Sequence, residues 1–219
     1  MLIDDYVADL GRALCGPPGP KRDLVVEARD SLTDAAEALQ AEGLERAEAE
    51  HLAVDEFGQV AEVAPGLQRE LTATAGRWLA TLLFLSVPAT VLMWSAIWHF
   101  SPGDPGAWAT RPGWYSTVSL LLDLVQFGVG VFGGLALFAL GRGSRWIGEP
   151  RLVTRSLGLL VLIALPVTGG LSLLLTLGPD VPHAAGTLAP LVLANLVTSA
   201  FWGLQVYGAT RCVRLTRPV

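Results

Sequence analysis

Cysteine is nearly absent: Cys15 and Cys212 are the only two in 219 residues, and they lie near opposite ends of the chain. With no CxxC pair and no Cys/His ligand spacing, neither a disulfide framework nor a zinc site organises the fold. Phosphate-cradling GxxxxGK[ST], the zinc-protease HExxH, the GxSxG elbow and the Rossmann glycine pattern are missing too, so phosphate-cradling and hydrolytic chemistry lack support. The expectation is a protein that is not an enzyme, with no cofactor and no metal. A basic n-region is also lacking. MLIDDYVADLGRAL carries acids there and has no apolar h-region, so no cleaved signal is expected.

Charge is the next scarcity, and it is uneven. Residues 78–219 hold only 4 of the 20 acids and 8 of the 15 bases, a net of +4, while residues 1–77 hold 16 acids and 7 bases, a net of −9. An acidic region of that kind does not bind nucleic acid directly, because such affinity comes from cations on phosphates. What fills the charge-poor part is apolar. The chain is 52% hydrophobic with mean hydropathy +0.48, too apolar for an ordinary soluble domain.

Four stretches are long enough to cross a bilayer: Trp78–Phe100, Trp114–Leu140, Ser156–Leu177 and Leu188–Thr210. About 20 apolar residues at ~1.5 Å each span the ~30 Å hydrocarbon layer. The fold class expected is all-α: a small helical module over 1–71, a juxtamembrane connector over 72–77, and a four-span membrane domain over 78–219 ending in a short tail. Bases cluster in 141–155, which holds four arginines, in the tail at Arg211, Arg214 and Arg217, and before the first span at Arg69 and Arg77. The loop 101–113 has only Arg111, and 178–187 has no Lys or Arg. Positive flanks stay cytoplasmic, so both termini are expected there, with the protein in a bacterial inner membrane.

Within the module, Tyr6, Val7, Leu10 and Leu14 line one side of a helix over 4–14, which Gly16-Pro17-Pro18-Gly19-Pro20 stops. A second helix over 21–42 places Val25, Ala28, Leu32, Ala35, Ala36 and Leu39 on one stripe. A third over 44–57 buries Ala49, Leu52, Ala53 and Phe57, and Gly43 and Gly58 close the second and third. A fourth segment begins at Val60, and Pro65-Gly66 is expected to start, kink or break it.

Several of these residues carry a resemblance. Tyr6-Val7-Ala8-Asp9-Leu10, Glu27-Ala28-Arg29-Asp30-Ser31-Leu32-Thr33-Asp34-Ala35, Gly43-Leu44 with Glu48-Ala49 and Ala53, Glu56-Phe57-Gly58, and Gln68-Arg69-Glu70-Leu71 together resemble the HAAS or permease-prefix family. The likeness covers about residues 4–71 and is to actinobacterial members with four to six spans. Gln59-Val60 departs from the pattern, where Asp or Thr with Pro is commoner. The resemblance implies a signalling or interaction module at the cytoplasmic N-terminus of a bacterial membrane protein, found near PadR-type repressors or fused to permease components. It assigns no catalytic residue.

Candidate sites are few. Asp123 is the only Asp, Glu, Lys or Arg inside the four apolar stretches, and charge there costs at least ~2.5 kcal/mol, so it is expected to face helices or water. Gln126 shares its face, and Asn195 in the fourth span lies at similar depth. These three read either as a packing bond, Asp123 to Asn195, Thr198 or Ser199, or as a proton or cation site. Gly130 and Gly134 form a GxxxG surface for close helix approach. His99, Asp104, Asp180 and His183 could meet as a metal site but read as solvated loop polarity. Glu27, Asp30 and Asp34 on the second helix read as a solvated face or as a dock for a basic partner, and His51 as an exposed helix residue. The function expected is a membrane-anchored signalling or scaffold protein, with a small permease or transporter-associated subunit using Asp123 as the alternative. Its expected partners are the bilayer and a cytosolic protein (a regulator, an ATPase or a permease component), with a second copy of the chain an open option.

Overall fold

The structure, a computed structural model, describes residues 2–100, 113–141, 150–176 and 188–216. Among the described residues seven helices follow in order: α1 (Leu2–Ala13), α2 (Pro18–Ala41), α3 (Arg46–Phe57), α4 (Val60–Phe100), α5 (Gly113–Leu140), α6 (Pro150–Thr176) and α7 (Leu188–Leu215). No strand occurs among the described residues, and the fold is all-α. The chain divides into two compact units, Met1–Ala75 and Gly76–Val219. Residues 72–77 are helical and belong to α4.

The first unit closes around Leu10, Leu14, Leu32 and Leu71, each no more than 1% exposed. Ile3, Tyr6, Val7, Ala28, Ala36 and Ala53 complete this core. Its helix ends explain the local geometry. α2 begins three residues earlier than the proline run suggests, because Pro18 and Pro20 fall in its first turn, where a missing amide has no intrahelical partner to lose. At its other end Gly43 takes φ +104°, and Leu44 N–H donates to Leu39 O across the turn. That is the left-handed closure glycine makes without a Cβ penalty. Gly58 ends α3 with φ +97°, and Tyr6 Oη donates to its carbonyl at 2.8 Å.

Two expectations fail in this unit. Leu52 is exposed, and Val54 and Phe57 pack partly in its place beside Ala49 and Ala53. Ala49 and Ala53 bring α3 close enough to leave room for only a narrow buried stripe. Pro65-Gly66 neither starts nor breaks a helix: α4 runs through them, and Gln59 O already accepts the first amides from Glu62 and Val63. One lost amide bond near the start of a 41-residue helix is offset by the many that follow.

The second unit reverses the usual distribution. Leu85, Leu92, Phe127, Leu135, Phe138, Ile163, Leu193 and Leu196 are all more than 60% exposed. Each of the four helices has the length and composition to cross a membrane. Apolar surface all round a bundle identifies lipid as its solvent, so this is a multi-pass membrane protein. Inside, close approach occurs where side chains are small. A Cβ on Gly133 would stand 3.0 Å from Leu83 Cβ, one on Gly158 3.0 Å from Ala209 O, and one on Gly76 2.4 Å from Thr154 Oγ1. α5 packs on α6 and α6 on α7, while α4 meets α5 at Gly133 and α7 at Gly208.

Candidate functional sites: an acidic helix face and an intramembrane polar pocket

In the first unit, α2 turns its apolar stripe inward, which leaves its acids on the surface. Glu27, Asp30 and Asp34 are exposed, and with Arg22, Asp23 and Ser31 they line a shallow depression around Val26. Val26 is an exposed apolar residue ringed by carboxylates, 46% accessible. Elsewhere on the surface of this unit, Arg29 pairs with Asp4 at 3.0 Å, Arg46 with Glu50 at 3.1 Å, and the exposed His51 Nδ1 lies 3.0 Å from Asp55. Pairs of this kind at a water-facing surface contribute little to stability. The Arg46 guanidinium beside Glu50 holds that carboxyl below its usual range, and burial pushes the Tyr6 phenol up.

In the second unit, the polar groups of four apolar helices meet in one cavity of about 50 Å³. Thr90 of α4, Gln126 of α5, Thr168 of α6, and Trp202 and Gln205 of α7 line it among Leu83, Val87, Val129, Val161, Ala164 and Leu165. Gln205 is buried and donates from Nε2 to Ser86 Oγ at 2.9 Å, joining α7 to α4. Toward the other end of the bundle, Trp94 Nε1 donates to Thr198 Oγ1 at 3.2 Å, so a second bond links the same helices. Thr198 Oγ1 in turn donates to Ala194 O at 2.8 Å. Gln126, by contrast, has no hydrogen-bond partner among the described residues. A cavity this size has room for ordered water or an ion but not for an organic substrate.

The residues singled out in the sequence are distributed differently from the expected pairing. Asp123 is exposed on the surface of the bundle, outside the cavity wall, and makes no ion pair among the described residues. Asn195 is exposed as well, and its Nδ2 donates to Leu191 O of its own helix at 2.9 Å. The Asp123–Asn195 bond is therefore not formed. The physical reason is connectivity: α6 packs against both α5 and α7, and α7's polar bonds go to α4 instead. Of the three residues, only Gln126 reaches the cavity.

Gly130 and Gly134 stand against α4, where a Cβ would lie 3.5 Å from Val87 and 3.3 Å from the Phe84 ring. His99 is exposed at the end of α4, while Asp104, Asp180 and His183 lie outside the described residues. Ser86, Thr90, Trp202 and Gln205 are the participants that sequence reasoning passed over. Their signal was present, since Ser86 and Gln205 are polar residues in the middle of apolar runs. No protein-family model, curated protein or solved structure matches the chain.

Proposed function

We propose that this protein is a non-enzymatic, membrane-anchored signalling or scaffold protein whose N-terminal helical module binds a cytosolic protein. The observation that carries the reading is the outer face of α2, where Asp23, Glu27, Asp30 and Asp34 surround the exposed Val26 on a unit that has its own closed core. A helix with basic side chains around one apolar anchor complements that face, with charge guiding encounter and the anchor supplying affinity. The likeness of residues 4–71 to permease-prefix modules agrees with this role. Arginine-rich flanks put both termini, and hence the module, on the cytoplasmic side of a bacterial inner membrane.

The permease reading has less support. Asp123 lies outside the cavity, and between the cavity and the Gly76 end of the bundle Leu79, Ala80, Ala136, Leu157 and Ala209 are all buried, a packed apolar layer rather than a path. Photo-crosslinking from Val26 in the full-length protein, in cells, tests the proposal. A discrete crosslinked partner is expected, and it should be lost when Glu27, Asp30 and Asp34 are all replaced by Lys while the module stays folded. An unchanged crosslink in that triple variant, or no crosslink from Val26, overturns the proposal.

A further inference from the structure

Charge inside a bilayer is tolerated only against protein or water, and Asp123 is exposed with no protein partner among the described residues. One side of it on α5 is polar, while the exposed Leu120 and Phe127 flank the other. Ser116, Ser119, Asp123 and Gln126 recur at steps of three and four, which places them within about 80° of arc at ~100° per residue. Ser116 and Asp123 are exposed, while Ser119 and Gln126 are half-buried. The stripe thus starts near the Trp114 end of α5 and finishes at Gln126, the one member that lines the cavity. Further polar groups line the same cavity: Thr90, Thr168 and Gln205, all oxygen-bearing and all uncharged.

The geometry points to a hydrated vestibule that opens at the Trp114 end of the bundle, follows the Ser116–Gln126 stripe and ends in the cavity, where it holds a monovalent cation. Asp123, outside the cavity wall and one helical turn from Gln126, balances one positive charge through the water of the vestibule, and the ligands that line the cavity are neutral carboxamide and hydroxyl oxygens, the donors that suit a hard cation of low charge. The vestibule has no exit at the other end, because Leu79, Ala80, Ala136, Leu157 and Ala209 are packed there. A cation enters and leaves on one side, as it would at a sensing site. That sensing role rests on the signalling reading above; the site itself does not.

Two measurements on the full-length protein test it. Single cysteines at Ser116, Ser119 and Gln126, in a Cys15→Ser background, should react with a membrane-impermeant thiol reagent added on the Trp114 side. Cysteines at Leu121 and Leu124, exposed at the same depth on other faces of α5, should not. Protection of positions 119 and 126 would mean that lipid or another helix covers the stripe, and the vestibule would be wrong. Separately, the melting temperature of the purified protein should rise saturably when Na⁺ or K⁺ replaces N-methylglucamine at constant ionic strength. Asp123→Asn, nearly isosteric, should melt cooperatively but lose that rise. No rise with either cation, or a rise kept in Asp123→Asn, overturns the cation site. Loss of the Val26 crosslink leaves both results standing, so the two proposals fail independently.

Discussion

In the first unit the buried residues are long aliphatic side chains, Leu10, Leu14 and Leu32, meeting alanines of α2 and α3. In the bundle the tightest contacts occur where a side chain is missing, at Gly76, Gly133, Gly158 and Gly208, with polar bonds between helices added at Ser86–Gln205 and Trp94–Thr198. The difference follows from the solvent. Water drives aliphatic burial in the module, at roughly 25 cal/mol per Å². Lipid offers no such drive, so helices in the bundle associate through close van der Waals packing and hydrogen bonds. The module should therefore fail when its core becomes polar, and the bundle when its small residues become large.

Leu32→Asp sets an unpaired charge at a position that is 0% exposed, and should cost about 4 kcal/mol or more. Hydrogen exchange on the full chain should show protection lost across α1–α3 and kept in α5–α7. Native-like protection in α2 would mean that the stripe assignment is wrong. The matching break in the bundle is Gly208→Leu. Its Cβ would fall 2.7 Å from the Trp78 ring and 3.0 Å from Leu79, and overpacking of that kind costs about 1–3 kcal/mol. Gly203→Leu, with open space around it, is the control and should melt like the parent in detergent.

Gln205→Leu should lower the same melting curve by about 1 kcal/mol, the value of an interhelical hydrogen bond in a membrane. A double-mutant cycle with Ser86→Ala should show coupling of similar size, and strict additivity would mean that the 2.9 Å bond contributes nothing. The smallest effect sharpens the contrast at one phenol. Burial raises the Tyr6 pKa above its ordinary 10.0, so the folded module prefers the neutral form. Its stabilising contribution is complete below about pH 10 and is lost as pH rises through the raised value, because the unfolded chain deprotonates first. Tyr6→Phe should abolish this alkaline loss, and it should also forfeit about 1 kcal/mol from the bond to Gly58 O. Identical alkaline profiles for the two proteins would locate the transition elsewhere.

The two regions also differed in how much could be read from sequence. Span positions followed from length and apolar content alone, and α4, α5, α6 and α7 hold the described residues of the four stretches, although α4 begins at Val60, well before Trp78, and α6 at Pro150. The α2 stripe was legible because period 3.6 leaves one face for Ala28, Leu32 and Ala36. Leu52 was misplaced because three- and four-residue spacing admits Leu52 beside Ala49 as readily as Val54 beside Phe57, whereas the rotation of a short helix resting on two alanines decides which of them turns inward. Pairing across the bundle was the illegible part. Asp123 and Asn195 share a depth, but which helices are neighbours depends on packing among four helices, and neither residue type encodes that. Ser86 and Gln205 are 119 positions apart, and nothing local to either names the other.

Everything proposed for the module requires it to share the cytoplasm with its partner, which means four crossings and both ends on one side. Reporter fusions test that most directly. Alkaline phosphatase, active only outside the cytoplasm, should be inactive when joined after Val219 and active when inserted within residues 103–110, while a green fluorescent protein should give the opposite pattern. An active phosphatase at the C-terminus would require an odd number of crossings or an inverted bundle, and would contradict the account.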